Sequence, residues 1–114
     1  MKDIVILDTG CCNLTSLLSA VKRLGVEPIV TAEPAQAKRA SRLFLPGVGT
    51  AQAAMRELQN RDLVSCITES RCPVLGICLG MQMLFDKSYE FGETEGLGLI
   101  PVSYTHLTLP TNSL

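Results

Sequence analysis

The chain alternates short apolar runs with amphipathic segments, and this pattern restricts the possible folds more than any other feature. Residues 4–7 are apolar and mostly β-branched, which is typical of a strand buried on both faces. Similar runs predict strands at 28–31, 43–45 and 74–77. Apolar residues at helical spacing predict helices at 14–24, 34–40 and 51–59. A further helix is predicted after an N-cap at Asp62, and another across 81–86. The alternation predicts an α/β fold: a mostly parallel sheet, joined by right-handed crossovers, with helices on both faces.

Size and charge exclude several classes of function. The 114 residues suit one domain or part of one, and 46% of them are hydrophobic, enough for a core. A net charge of −1 gives no basis for nucleic-acid or membrane-surface binding. No apolar run has membrane-spanning length, and the N-terminus lacks the form of a signal peptide. We expect a cytoplasmic protein with no nucleic-acid or membrane partner.

The cysteines predict thiols rather than disulfides or metal ligands. There are five of them, an odd number, and two are adjacent: Cys11, Cys12, Cys66, Cys72 and Cys78. Bridging adjacent cysteines strains the backbone, and no Cys-x-x-Cys pair suggests zinc. We expect most of them to be inert apolar residues and no metal to be bound.

Cys78 is the exception because it lies between Gly76 and Gly80, after an apolar strand and before a helix. This is the nucleophile-elbow pattern, with cysteine in place of serine. The turn exposes the nucleophile at the top of the sheet, and the backbone N–H of Leu79 supplies half of an oxyanion hole. The alternative is a buried structural cysteine at a tight glycine turn.

Three turns are predicted at the carboxyl edge of the sheet, where such folds bind ligands: those after Leu7, Leu45 and Ile77. In the second, the glycines of segment 46–49 let a peptide plane rotate so that an N–H faces a pocket. The alternatives are an ordinary strand-end turn or, less well matched, a phosphate loop, since no Gly-Lys-Ser/Thr follows. The first turn, 8–12, lacks the glycines of a dinucleotide fingerprint. We expect no cofactor.

Together these motifs resemble a known family. Segment 76–82 resembles the nucleophile motif of class I (triad-type) glutamine amidotransferases. Segment 45–50 resembles the oxyanion strand of one branch, the glutaminase subunit of imidazole glycerol phosphate synthase. The start of the chain and segment 96–100, after the elbow helix, also resemble that subunit. The resemblance covers roughly residues 1–101 and implies a flavodoxin-like fold, of which this chain is the N-terminal half.

The resemblance also implies an activity. Cys78 would attack the side-chain amide of L-glutamine, and the N–H groups of Val48 and Leu79 would hold the oxyanion. It assigns glutamine binding to four residues: Gly47, Gly49, Gln82 and Glu90. Alternatively, Gln82 could be an ordinary solvated helix residue, and Glu90 could be an ordinary surface acid.

The resemblance further implies a heterodimer with a cyclase subunit, which receives the ammonia for imidazole glycerol phosphate synthesis in histidine biosynthesis. Asp8, Gly10 and Asn13 would face this partner, although Asn13 could equally be a helix cap.

The chain departs from the family pattern after residue 101. The family's His-x-Glu motif is missing, and the only histidine, His106, lies too close to Cys78 in sequence. Residues 101–114 carry no charge and suit neither a helix nor a full strand. We expect residues 102–114 to be a non-family tail, translated from foreign or frame-shifted sequence, with a natural apolar tail or hairpin as the alternative. A fragment of this kind is expected to be inactive alone and to have an open sheet edge.

Two other functions remain open at this stage. One is another triad-type glutamine amidotransferase, against which segment 46–49 argues. The other is a non-catalytic, flavodoxin-like binding domain whose Cys78 is structural or redox-active.

Overall fold

The computed structural model describes residues 3–10, 13–89 and 92–104, with the backbone alone for 102–104. The strands are β1 (Asp3–Leu7), β2 (Ile29–Thr31), β3 (Ala40–Gly47), β4 (Val74–Cys78), β5 (Phe85–Ser88), β6 (Thr94–Glu95) and β7 (Ile100–Tyr104). The helices are α1 (Thr15–Arg23), α2 (Pro34–Ala37), α3 (Ala51–Asn60), α4 (Val64–Thr68) and α5 (Leu79–Met83).

Four strands form the main sheet in the order β2-β1-β3-β4, and all three pairings are parallel. The chain moves from β1 to β2 in one direction and then back across β1 to β3 and β4. Right-handed crossovers therefore place α1 on one face and α2, α3 and α4 on the other. The predicted α/β class with a mostly parallel sheet is confirmed.

The core lies between the sheet and the helices that follow β2 and β3. Val5, Leu7, Leu43 and Leu45 are fully or almost fully buried at alternate strand positions, so they point to one face. They pack against buried residues of α2, α3, α4 and α5: Ala37, Ala51, Ala54, Met55, Leu58, Cys66, Ile67, Leu79 and Met83. This core fixes β3 and β4, the strands that carry the predicted site.

Strand β4 is the outer strand of this sheet on the side of β3. Leu75, at its second position, is 56% exposed, although its register partner Phe44 is half-buried. Within the described ranges no further strand pairs with β4, so the predicted open apolar edge is present.

The helix behind Cys78 is shorter than predicted. We expected it to run across 81–86, but α5 ends at Met83 and β5 begins at Phe85. The segment after β6 causes this, because the N–H of Leu97 donates to the Met83 carbonyl (2.7 Å) and that of Gly96 donates to Asp86 (2.8 Å). Strand β5 then pairs antiparallel with β6 and parallel with β7, forming a second, three-stranded sheet.

Two other predictions are wrong in detail. Asp62 does not cap α4, whose N-cap is Leu63; instead Asp62 has a φ of 56° and closes α3. The N–H groups of Asp62 and Leu63 donate to the carbonyls of Gln59 (3.2 Å) and Leu58 (2.9 Å), as in a Schellman motif. The tail was expected to form no full strand, yet β7 continues to Tyr104, across the predicted boundary at 101. The origin of residues 102–114 stays a prediction.

No helix among the described residues is long and apolar enough to cross a membrane.

Candidate active site

Cys78 occupies a strained turn between β4 and α5. Its φ of 55° and ψ of −122° lie in a region that non-glycine residues rarely adopt, at a cost of about 1–3 kcal/mol. The residue is exposed, and its thiol is free. A strained, exposed cysteine at the carboxyl end of a parallel strand has the geometry predicted for a nucleophile elbow.

The two glycines around Cys78 are required by close packing of the turn. A Cβ on Gly76 would lie 2.7 Å from the Met81 Cα and 2.8 Å from the Met81 nitrogen. A Cβ on Gly80 would collide with the backbone carbonyl oxygen of Leu45 in β3. The glycine spacing therefore allows α5 to turn back against β3 and β4 immediately after the nucleophile.

The loop after β3 lies beside Cys78. Gly47 is the register partner of Cys78, and Val48, the next residue, is 52% exposed. Gly49 has a φ of 96°, and the hydroxyl of Thr50 accepts a hydrogen bond from the N–H of Ala53 (3.2 Å), capping α3. The structure thus brings the predicted oxyanion loop to the edge that carries the nucleophile.

Leu79 is the first residue of α5 and is 4% exposed. The first N–H groups of a helix have no partner within the helix. The role of the Leu79 N–H in an oxyanion hole stays a prediction.

Gln82 has a buried side-chain oxygen. It lies on α5, one helical turn after Cys78, and its Oε1 has no hydrogen-bond partner within the described ranges. A buried acceptor left unpaired costs about 1–3 kcal/mol. A ligand that donates a hydrogen bond at this position would remove that cost.

The turn after β1 is ordered by its own side chains. The N–H of Gly10 donates to Asp8 Oδ1 (3.0 Å), and the N–H of Thr15 donates to Asn13 Oδ1 (2.9 Å). The Asn13 side chain thus accepts a hydrogen bond from the first residue of α1, although the N-cap residue is Leu14. Its predicted role toward a partner stays a prediction.

An ion pair that we did not predict lies against this turn. Arg61 Nη2 is 3.2 Å from Glu57 Oε1, and both would be within 3.1 Å of a Cβ on Gly10. The spacing of a glutamate and an arginine four residues apart on a predicted helix was the signal that could have identified this pair.

Two residues considered for the site, Glu90 and His106, lie outside the described residues. The predicted role of Glu90 stays a prediction, as does the absence of a genuine base at His106. Among the described residues, no group of three His, Cys, Asp or Glu side chains is placed to hold a metal ion.

The sequence match agrees with this geometry. The family model described as glutamine amidotransferase class-I matches residues 5–98, which include both β3 and the elbow. The chain belongs to the class I glutamine amidotransferase family.

Three similar proteins are each named imidazole glycerol phosphate synthase subunit HisH. The protein from Yersinia pseudotuberculosis is 51% identical over 106 residues, covering 93% of this chain and 54% of that protein. The protein from Pectobacterium atrosepticum is 55% identical over 97 residues, covering 85% of this chain and 50% of that protein. The protein from Salmonella typhimurium is 53% identical over 100 residues, covering 88% of this chain and 50% of that protein. This chain therefore spans about half the length of these amidotransferase relatives.

Proposed function

We propose that this chain carries the nucleophile and oxyanion part of a glutamine-hydrolysing site. The observation that supports it best is the strained, exposed Cys78 directly opposite Gly47, where the oxyanion loop begins. Family membership and the names of the relatives support glutamine as the substrate.

In the proposed reaction, the Cys78 sulfur attacks the carboxamide carbon of glutamine. The carbonyl π electrons move onto oxygen, and the N–H groups of Val48 and Leu79 stabilise the resulting oxyanion. When the carbonyl re-forms, the C–N bond breaks, and the nitrogen leaves as ammonia after receiving the proton that the Cys78 thiol gave up. The γ-glutamyl thioester that remains is hydrolysed by water to glutamate and free thiol.

Gln82, Gly47 and Gly49 hold the substrate in this proposal. Gln82, whose buried Oε1 has no partner among the described residues, is assigned to the bound glutamine. Gly47 and Gly49 keep the loop backbone close to the substrate, and Glu90 is assigned to its amino group. Positioning of this kind makes attack effectively unimolecular.

The ammonia goes to a partner. The relatives' names describe a subunit of imidazole glycerol phosphate synthase, so the proposed acceptor is the cyclase subunit of that enzyme, in histidine biosynthesis. Asp8, Gly10 and Asn13 are proposed to face it, because their turn lies at the carboxyl edge with Cys78. The Arg61–Glu57 pair supports the shape of that turn.

The proton transfers need a base that the described residues do not supply. The chain has a single histidine, His106, and a positioned general base contributes typically about 10²–10⁴-fold to rate. We therefore propose that this chain alone binds and attacks glutamine but turns it over slowly.

A glutamine-shaped electrophile tests the proposal. The chain is incubated with the diazo-ketone analogue of L-glutamine, and labelled peptides are mapped by mass spectrometry. Labelling of Cys78 is expected to exceed that of Cys72 and to be blocked by L-glutamine, but not by D-glutamine. The Cys72→Ser variant should label like the parent chain. Equal labelling of Cys78 and Cys72, without protection by L-glutamine, would overturn the proposal.

A further inference from the structure

A cavity lies at the opposite edge of the main sheet from Cys78. It has a volume of about 580 Å³ and lies between the end of α2, the start of β3, α4 and the turn before β4. Cys72 and Pro73 of its lining directly precede β4, whereas Cys78 ends that strand. Five strand residues at about 3.3 Å each separate the two places. The cavity is therefore not part of the glutamine site.

The cavity has the size of a ligand pocket and a positive lining. Small-molecule pockets in proteins measure about 300–1,000 Å³. The charged residues of the lining are Lys38, Arg71 and Glu69, which gives two cations to one anion in a chain whose net charge is −1. Negative ligands are favoured by such a local excess of positive charge.

Neither cation is neutralised by a close ion pair. Lys22, Arg61 and Lys87 each have a carboxylate within 4 Å, but Lys38 and Arg71 have none among the described residues. Both side chains are exposed, so they can move toward a ligand. Two unpaired cations on one cavity are the recognition groups that an oxyanion needs.

Polar side chains also line the cavity. The Ser70 hydroxyl accepts from the N–H of Cys72 (3.2 Å) and lies 3.0 Å from the Cys72 sulfur. Cys66, which is buried, donates its thiol to the carbonyls of Pro34 (3.6 Å) and Asp62 (3.7 Å). Cys72 is half-buried and lines the cavity, so its thiol can report what enters.

We propose that this cavity binds a small oxyanion, a phosphate or a carboxylate group, between Lys38 and Arg71 and next to Cys72. Phosphate and carboxylate groups share a delocalised negative charge with several acceptor oxygens. Lysine binds such a group as a compact positive charge, and arginine binds it with a planar fork of N–H donors. The proposal concerns a site apart from the glutamine chemistry and does not depend on it.

The test compares two alkylating reagents at Cys72. Iodoacetate and iodoacetamide both transfer a two-carbon group to sulfur with loss of iodide, but only iodoacetate carries a carboxylate. The ratio of their rates at Cys72, measured by peptide mass spectrometry, therefore reports attraction of an anion. The ratio should fall about three- to tenfold in the Lys38→Gln, Arg71→Gln double variant.

The matched control is the Arg39→Gln, Arg42→Gln double variant. It removes the same charge from exposed residues near the cavity that do not line it. This variant should keep the parent ratio at Cys72. An unchanged ratio in the first variant, or an equal fall in both, would overturn the proposal.

A protection assay separates the two sources of the oxyanion. Alkylation of Cys72 by neutral iodoacetamide is measured with inorganic phosphate, succinate or chloride at equal ionic strength, which holds screening constant. Slower alkylation with phosphate alone identifies a phosphate site, and slower alkylation with succinate a carboxylate site. If neither slows alkylation more than chloride does, the cavity is not an oxyanion site.

Discussion

Gly47 and Cys78 are register partners at the carboxyl ends of β3 and β4. Because the strands are parallel, the residues that follow each of them emerge at the same edge of the sheet. The predicted oxyanion loop and the predicted nucleophile, which lie far apart in sequence, are therefore neighbours through backbone pairing. Substitutions near this pair should separate effects on folding from effects on chemistry.

Gly80→Ala should destabilise the fold severely. The new methyl group would collide with the Leu45 carbonyl, a backbone atom that cannot move without breaking the pairing of β3 and β4. We expect a loss of about 3 kcal/mol or more in the free energy of unfolding, measured by urea denaturation.

The control for this variant is Gly92→Ala. Gly92 has a positive φ of 92°, which Gly80 does not have, but a Cβ there would meet nothing within 4 Å. Backbone strain alone should cost about 1 kcal/mol. Equal unfolding midpoints for the two variants would show that the elbow is not closely packed against β3.

Gly49→Ala should impair the site more than the fold. A Cβ on Gly49 meets nothing within 4 Å, but its φ of 96° strains an alanine and shifts the loop that carries Val48. Gly25→Ala is the matched control, with a φ of 88° and equal open space. Both variants should lose about 1 kcal/mol of stability. Only Gly49→Ala should slow labelling of Cys78 by the diazo-ketone analogue; equal slowing in both would contradict the role of the loop.

Gln82→Met should weaken glutamine binding without weakening the fold. The substitution removes the unpaired buried oxygen at similar volume, so stability should stay within about 1 kcal/mol of the parent or rise. The concentration of L-glutamine that half-protects Cys78 should rise about tenfold, since a lost hydrogen bond of about 1.4 kcal/mol has that effect. Gln59→Met, at an exposed position of α3, is the control and should leave protection unchanged.

The stability of the chain should fall at alkaline pH through Cys66. Burial raises the pKa of the Cys66 thiol above its ordinary value of 9.0, and the charge of Lys38 only partly opposes this. Above pH 9.0 the unfolded chain loses this proton before the folded chain does, so rising pH favours unfolding. The contribution is complete below pH 9.0 and is lost as pH rises through the folded pKa.

Comparing the parent chain with the Cys66→Ala variant isolates the contribution of Cys66, because the lysines and tyrosines are the same in both proteins. The variant should be less stable at neutral pH, because it leaves a small cavity, but its stability should decline less steeply above pH 9.0. The difference in slope should reach at most about 1.4 kcal/mol per pH unit. Parallel pH profiles would show that Cys66 does not keep its proton in the fold.

Local patterns were sufficient to predict the sheet and the elbow. The strands follow from continuous apolar runs, and the turn at Cys78 follows from glycines two residues before and after it, because both signals lie within a few residues. Gly25, which follows α1, has a φ of 88°, in line with the local preference for glycine just after a helix.

Features that depend on distant partners could not be predicted in this way. The end of α5 at Met83 is set by hydrogen bonds from Gly96 and Leu97, which are not adjacent in sequence. Aspartate is a residue type that often caps helix N-termini. Here, however, burial of Leu63 holds Asp62 in the left-handed backbone conformation that closes α3. The cavity at Lys38 and Arg71 joins segments that no single motif connects.

The central claim is that Cys78 attacks glutamine, and detection of the γ-glutamyl thioester tests it most directly. The chain is incubated with isotope-labelled L-glutamine and free imidazole, which supplies a general base in solution, then quenched in acid and digested. The account predicts a labelled γ-glutamyl group on the peptide containing Cys78, removable by hydroxylamine and absent from the Cys78→Ser variant. A Cys78 peptide without label, or an equal label in Cys78→Ser, would contradict it.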